Sequence, residues 1–345
     1  MKTFYQVLIA IITIAGNMAV GSAQPGGTNA ADRDKDYEAL YSSLSVKISQ
    51  DNIRNAVFYL SKDPLPRRVL NWSLPGHDHS SLEEADVWIM QQLRSSGYAP
   101  ETDETRVRAF GRDLSKPLSQ QYAPPPEGAP WYVARNILAG KQGTEHPEEL
   151  IIILAHKDSQ SWIASPGAND NAIGTCGALE LARVLSAYQP KHTVRFIFCN
   201  EEHTPWTSVT AAENIRASGL KVLAVINLDG IGVKAPRQAG HLTNVTRYTS
   251  AEGERIADLM ASLNIRHALG LEQTKYHSES AGDDDGSFIN AGFPWSVLNI
   301  GSMPYGDPNY HSEGDVAENV DIKNAAVTVQ LTLAAILHLD IFGRP

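Results

Sequence analysis

Apolar residues along this chain follow two rhythms. Near-continuous apolar runs at residues 150–154, 194–198, 222–228 and 295–300 read as buried strands, and the alternation at 105–110 and 133–138 adds two more. Helical spacing covers 36–70 (Leu40, Leu44, Ile48, Ile53, Val57, Leu60) until Pro64 and Pro66 break it. It returns at 81–95 (Ala85, Trp88, Ile89, Leu93), 174–188 (Ala178, Leu181, Ala182, Leu185), 251–263 and 320–339. Residues 117–130, with Pro124-Pro125-Pro126, read as a loop or short insertion, 141–149 as a polar turn and 272–286 as a polar segment. Strands alternating with helices predict an α/β fold with a mixed, mainly parallel central sheet covered by helices on both faces. No internal repeat or linker divides it, so a single domain is expected.

The first residues follow neither rhythm. Lys2, an apolar run at 7–15 too short to span a bilayer, and Gly21-Ser22-Ala23 read as a secretory signal peptide over 1–23. An uncleaved anchor is the other reading of that run. A flexible leader at 24–35 and a domain at 36–345 follow, which places the mature protein outside the cell or in the periplasm. The formal charge of −10 argues against nucleic acid, or a membrane after signal cleavage, as a partner, because both attract basic patches. Cys176 and Cys199 are too few for a disulfide framework and read as buried thiols. Oligomeric state is open at this level. The triplets at Asn71 and Asn244 that match a glycosylation acceptor decide nothing.

The apolar runs stop at residues of one chemical kind. His156 ends the run at 150–154 and Glu201-Glu202 follows the run at 194–198. Asp229 closes 222–228, Asp170 lies in Pro166-Gly167-Ala168-Asn169-Asp170-Asn171-Ala172 before a helix, and His311 follows the last strand. In an α/β sheet the carboxyl ends of the strands share one edge, where sites form. Each residue alone has an ordinary use, as an N-cap, a turn or a solvated pair. Together they do not, since acidic groups have no packing reason to end three buried strands. Two imidazoles and three carboxylates suit zinc or a similar divalent ion. Five ligands exceed one catalytic zinc and match two cations sharing a carboxylate, the two-metal hydrolytic arrangement. Asp158, two residues beyond His156 on one strand face, is placed to accept the other ring N–H of His156.

These residues resemble the M28 zinc peptidases. The resemblance rests on Ala155-His156-Lys157-Asp158-Ser159, the Pro166 to Ala172 turn, Asn200-Glu201-Glu202, Asn227-Leu228-Asp229 and Tyr310-His311, with Arg135-Asn136-Ile137, Ser287-Phe288 and Ala291-Gly292-Phe293-Pro294 also fitting. It spans about residue 45 to the C-terminus. It implies a zinc-exopeptidase (phosphorylase/hydrolase-like) architecture and two zinc ions per chain. Asp170 would bridge them, one ion also held by His156 and Asp229, the other by Glu202 and His311. Glu201 would be the general base, the peptide after Asp170 is expected to be cis, and the substrate would be a peptide trimmed from its amino end. A carboxypeptidase and a mono-zinc glutaminyl cyclase-like acyltransferase are the alternatives. The cyclase would use Asp170, Glu202 and His311 without needing His156 and Asp229.

The chain departs from the family pattern at four places. Lys157 replaces an apolar residue and is expected to point away from the site. His203 to Ser208 replaces a Gly-rich run, so either His203 and Trp206 shape substrate selection or the loop only packs its own Trp. Asp283-Asp284-Asp285 could meet a cationic amino terminus or form a solvated loop. Tyr276, Tyr305 and Tyr310 are candidates for an oxyanion-assisting tyrosine. Substrate side-chain preference is open.

Overall fold

Strand β5 (His146–His156) carries the alternation that sorts the core. Ile151, Ile153 and Ala155 enter the larger apolar cluster on one face, while Leu150, Ile152 and Leu154 enter the smaller one on the other. A strand buried on both faces is the signature of a sheet sandwiched by helices. The computed structural model describes residues 30–303 and 305–345. The signal-peptide reading of 1–23 lies outside them.

Before β5 come α1 (Ala30–Ser45), α2 (Gln50–Ser61), α3 (Ser81–Ser95), β1 (Glu101–Ala109), the short β2 (Gly111–Arg112) and β3 (Tyr122–Ala123), and β4 (Tyr132–Lys141). After it come α4 (Ile173–Leu185), β6 (His192–Cys199), β7 (His203–Thr204), α5 (Thr207–Ser218), β8 (Lys221–Leu228), β9 (Thr243–Tyr248), α6 (Ala251–Arg266), β10 (Glu272–His277), α7 (Asp283–Asn290), β11 (Ser296–Ile300) and α8 (Ile322–Phe342). Nine strands form one sheet in the order β10-β9-β11-β8-β5-β6-β4-β1-β7. Its centre, β6-β5-β8-β11, is parallel, and antiparallel pairs join β4 and β1 on one side and β9 on the other. The expected mixed, mainly parallel α/β sheet is what forms. The carboxyl ends of β5, β6 and β8 therefore share one edge.

Helix ends explain several boundaries. Ser80 accepts from the Glu83 backbone N–H while the Glu83 carboxylate accepts from Ser80, a reciprocal cap that starts α3. α8 is apolar all round because it lies in the core. Helix α1 begins at Ala30, inside the stretch read as leader. Several elements lie where the apolar pattern predicts none, β10, β9 and α5 among them. β10 is an edge strand with mostly exposed side chains, so no alternation marks it. β9 carries Asn244, Thr246 and Arg247 buried by hydrogen bonds and ion pairs. α5 turns only Ala211, Ala212 and Ile215, with Thr207 and Ser208, inward.

Lys157 points away from the sheet edge into a fully buried ion pair, 2.6 Å from Asp86 on α3 and 2.9 Å from Asn200 Oδ1. A charge stripped of its partner in such a place is strongly destabilising. Asp86→Ala is therefore expected to cost about 3–5 kcal/mol in denaturant unfolding. A loss under about 1 kcal/mol, the scale of a surface pair, would mean that Lys157 is neutralised by other means. Asn244 is fully buried in β9, and the Asn71 amide donates to the Ser161 carbonyl at 2.8 Å. Asn244 is thereby withdrawn from glycosylation, whereas Asn71 is exposed. Cys176 and Cys199 are both free and buried.

Candidate metal centre

Asp170 stands at the middle of the site. Its Oδ1 lies 3.1 Å from His156 Nε2, and its Oδ2 lies 3.2 Å from His311 Nε2. Asp229 Oδ1 lies 3.6 Å from the same His156 nitrogen, and Glu202 Oε1 lies 3.4 Å from the same His311 nitrogen. The fold thus brings all five predicted ligand-type residues to one place. It sorts them into His156 with Asp229 and His311 with Glu202, with one Asp170 oxygen facing each pair. All five are buried.

The turn that presents Asp170 is built from both directions. Gly167 has a φ of 58°, and a Cβ there would meet Asp170 O at 2.5 Å and Ser159 Cβ at 2.7 Å, so only glycine fits. The Asp315 carboxylate accepts the backbone N–H of Asn169 at 2.7 Å and of Asp170 at 3.0 Å. The Asn171 amide donates to Leu228 O at 2.8 Å and accepts from Gly230 N at 3.3 Å, tying the turn to the end of β8 beside Asp229. At Gly174 a Cβ would meet Leu228 O at 2.1 Å, which lets helix α4 pack directly on that strand end. The Asp170–Asn171 peptide is cis.

Asp158 organises the opposite wall. It is fully buried, and its Oδ1 lies 3.3 Å from His156 Nδ1 and accepts from Glu201 N at 2.9 Å. Its Oδ2 accepts from Glu202 N at 2.9 Å and from His203 Nδ1 at 2.8 Å. One carboxylate thereby orients the His156 ring and fixes the backbone of both glutamates. Burial alone would raise its proton affinity, but hydrogen bonds from His156 and His203 hold it well below the usual carboxylate range. His203 is itself fully buried, and its Nε2 accepts from Leu70 N at 3.2 Å, so it supports Asp158 and does not reach substrate. This corrects its expected place in substrate selection; Trp206 does line the cavity.

Sequence reasoning missed three supports. The Gln160 amide donates to Asp170 Oδ2 at 2.9 Å and Glu202 Oε1 at 3.0 Å. Asp315 holds the Asp170 turn. The Ser119 carbonyl, from the insertion between β2 and β3, accepts from His311 Nδ1 at 2.8 Å, so the His311 lone pair is on the nitrogen facing Asp170. None has a local signal, because each acts on a residue distant in sequence or through its backbone. Asp284 and Asp285 are buried, which corrects the solvated-loop reading. Arg247 pairs with Asp283 and lies 3.1 Å from Asp285 Oδ1, and Tyr305 donates to Asp283 at 2.8 Å. Tyr305 and Tyr310 border the cavity, whereas Tyr276 is exposed on β10.

The cavity measures about 700 Å³. Phe110, Tyr122, Trp162 and Trp206 contribute its aromatic wall, and Glu201, Asp229 and Asp283 its acidic side. Glu201 Oε2 is buried with no hydrogen-bond partner. Burial, then the charges of Asp284 and Asp283, pushes the Glu201 carboxyl well above its usual range. Burial likewise pushes Asp229 up to about 7 against the pull of His156. The site carries more buried negative charge than its two imidazoles can offset, and each His nitrogen faces carboxylate oxygens at distances a cation could span. By donor chemistry and charge, these residues fit divalent metal.

The model of peptidase family M28 matches residues 136–336. A "Probable zinc metalloprotease" of Pyrenophora tritici-repentis is 24% identical over 350 residues, covering 90% of this chain and 66% of its own length. A "Probable aminopeptidase" of Saccharomyces cerevisiae is 26% identical, covering 59% of this chain and 57% of its own length. The chain thus spans less than two thirds of these relatives. Among solved structures, an aminopeptidase of Aneurinibacillus superposes with a TM-score of 0.65 at 16% identity, over 87% of this chain and 96% of that one. A glutaminyl cyclase of Bacteroides thetaiotaomicron gives 0.62 at 17% identity, over 84% and 98%. Those two establish the shared fold and do not separate peptide hydrolysis from cyclisation. The family match runs from Asn136 on β4, through every strand end described above, into the closing helix, and on that match the chain belongs to peptidase family M28.

Proposed function

We propose that this chain is a zinc-dependent exopeptidase that removes amino-terminal residues from peptides. Two ions would be held by His156 and Asp229 on one side, Glu202 and His311 on the other, and Asp170 between. The observation that carries the reading is the Asp170 carboxylate, whose two oxygens face two different imidazoles at 3.1 and 3.2 Å. Bound there, the metal pair supplies Lewis acidity toward the scissile carbonyl and acidifies a shared water. Asp158 keeps the His156 ring in position and sets the Glu201 backbone. Glu201, with a free oxygen beside His156 and Asp229, takes the proton of the attacking water and returns it to the leaving amine.

Charge favours the amino end of the substrate. The acidic side of the cavity attracts an ammonium group. The cation on the wall, Arg247, has its terminal nitrogens engaged by Asp283, Asp285 and the Gly282 carbonyl, so it is not free to clamp a terminal carboxylate. The aromatic wall suits a large apolar side chain at the amino-terminal position. Phe110→Ala is expected to raise KM about tenfold for leucyl and phenylalanyl arylamides and hardly at all for alanyl ones, a loss typical of one apolar contact. Equal changes across the three would remove Phe110 from specificity.

The test is a panel of amino-acid arylamides and an amino-terminal glutaminyl peptide, assayed with and without chelator. Chelator-sensitive release of amino-terminal residues is expected. Pyroglutamate formation without residue release would favour the cyclase reading instead. Residues 1–23 are proposed to direct export and be removed, and a mature amino terminus near Gln24 on sequencing is the expected result.

A further inference from the structure

The far end of the central sheet carries a second convergence of metal-binding side chains. His146 and Glu149 lie at the start of β5, and His192 opens β6. One donor atom from each falls within 4.8 Å of the other two. His146 and His156 are the two ends of β5, so at a rise of about 3.3 Å per residue this group is about 30 Å from the pocket and shares no residue with it.

The group is held by the backbone. His146 and His192 are register partners, and the turn before β5 is pinned to the start of β6 by Thr144 N to Pro190 O at 3.0 Å and Glu145 N to Lys191 O at 3.0 Å. On a regular strand His146 and Glu149, three residues apart, would point to opposite faces. The register shifts between His146 and Leu150, and such an irregularity re-aims side chains. Glu149 therefore joins the two histidines.

His192 is buried, with Nδ1 lying 3.1 Å from the Asp340 carbonyl and 3.3 Å from its carboxylate. Both are acceptors, so Nδ1 carries the proton and a neutral ring has its lone pair on Nε2. That Nε2 faces Glu149 Oε2 at 3.5 Å, while Oε1 of the same carboxylate pairs with Lys221 at 3.3 Å. Two electron-pair donors facing each other call for a proton or a cation between them. The exposed His146 ring stacks on His192 with centroids 4.8 Å apart, and one of its nitrogens lies within 4.8 Å of the other two donors. A histidine fixed through its other nitrogen by a carboxylate or carbonyl is how proteins orient metal-binding imidazoles. Two imidazoles and one carboxylate, with a fourth position open to water, suit zinc.

The geometry points to a peripheral zinc site formed by His146, Glu149 and His192. It clasps the start of β5 to the start of β6 and, through Asp340, to α8. An ion that binds only the folded chain raises its stability.

The test compares the full chain with a His146→Ala/Glu149→Gln double variant, both stripped by chelator, dialysed against the same excess of zinc and analysed for zinc per chain. The double variant is expected to hold one equivalent fewer, to lose part of the zinc-dependent rise in melting temperature, and to keep the wild-type arylamide activity. Equal zinc content in the two proteins would overturn the site and leave the cluster a contact between His192 and Glu149. The exposed His146→Ala alone is the second variant, and should weaken that one equivalent by more than about tenfold, the loss that outer partners alone can cause. Unchanged affinity there also overturns the site. The readout is a difference between chains with the same pocket, so it does not depend on how many ions the pocket holds.

Discussion

Asp170→Ala is expected to abolish amino-terminal residue release, with turnover falling by about 10³-fold or more, because Lewis-acid stabilisation of the developing charge is worth several kcal/mol. Its two oxygens are the contact shared by the His156 and His311 sides, so the change removes a ligand from both at once. Zinc content should fall with activity. The variant should also lose the part of the zinc-dependent rise in melting temperature that the pocket contributes, since an ion stabilises only the state that binds it. Zinc analysis that still finds two equivalents in the pocket of this variant would refute the bridging role. Asp170→Asn is a useful companion, because it keeps the shape of the turn held by Asp315 and Asn171 while removing the charge.

Glu201→Gln should separate chemistry from metal binding. A fall in kcat of about 10²–10⁴, the range of general acid–base catalysis, is expected with zinc content unchanged and KM within a few-fold. The amide keeps the volume and the backbone N–H bond to Asp158 and loses only the ability to carry the proton. Stability should hold or rise. One oxygen of the native carboxylate, Oε2, is buried without a hydrogen-bond partner, and the group faces the charges of Asp284 and Asp283; destabilising groups of that kind persist at sites selected for activity. Near-normal turnover in this variant would take Glu201 out of the mechanism, and loss of zinc would move it among the ligands.

The two predictions rest on parts of the molecule that differ in how they could be read. His156, Glu202 and Asp229 were legible because each follows an apolar run too regular to be anything but a strand, and their grouping follows from the strand ends alone. Asp158 was legible from spacing, since residues two apart share a strand face. Its wider role was not. That one carboxylate also fixes the backbone of Glu201 and Glu202 and binds His203 depends on β5 and β6 lying side by side, with some forty residues between them in sequence. His203 looked like a pocket residue from its place after the glutamates, and the fold turns it inward to Asp158 and Leu70. Strand β10 and helix α7 passed as a polar segment because an exposed edge and a short acidic helix leave little apolar rhythm to detect.

The amino-acid pattern sufficed for the α/β fold class, for the places along the chain of its apolar strands, and for the delivery of five ligand-type residues to one edge. Local hydrophobic periodicity fixes the first two, and the shared direction of parallel strands fixes the third. Only the tertiary structure decided which nitrogen faces which oxygen, that Gln160, Asp315 and the Ser119 carbonyl hold those groups in place, and that His146, Glu149 and His192 meet at the far end. Those partnerships span up to about two hundred residues. They are set by packing and register between elements, and no pattern within a single element encodes them.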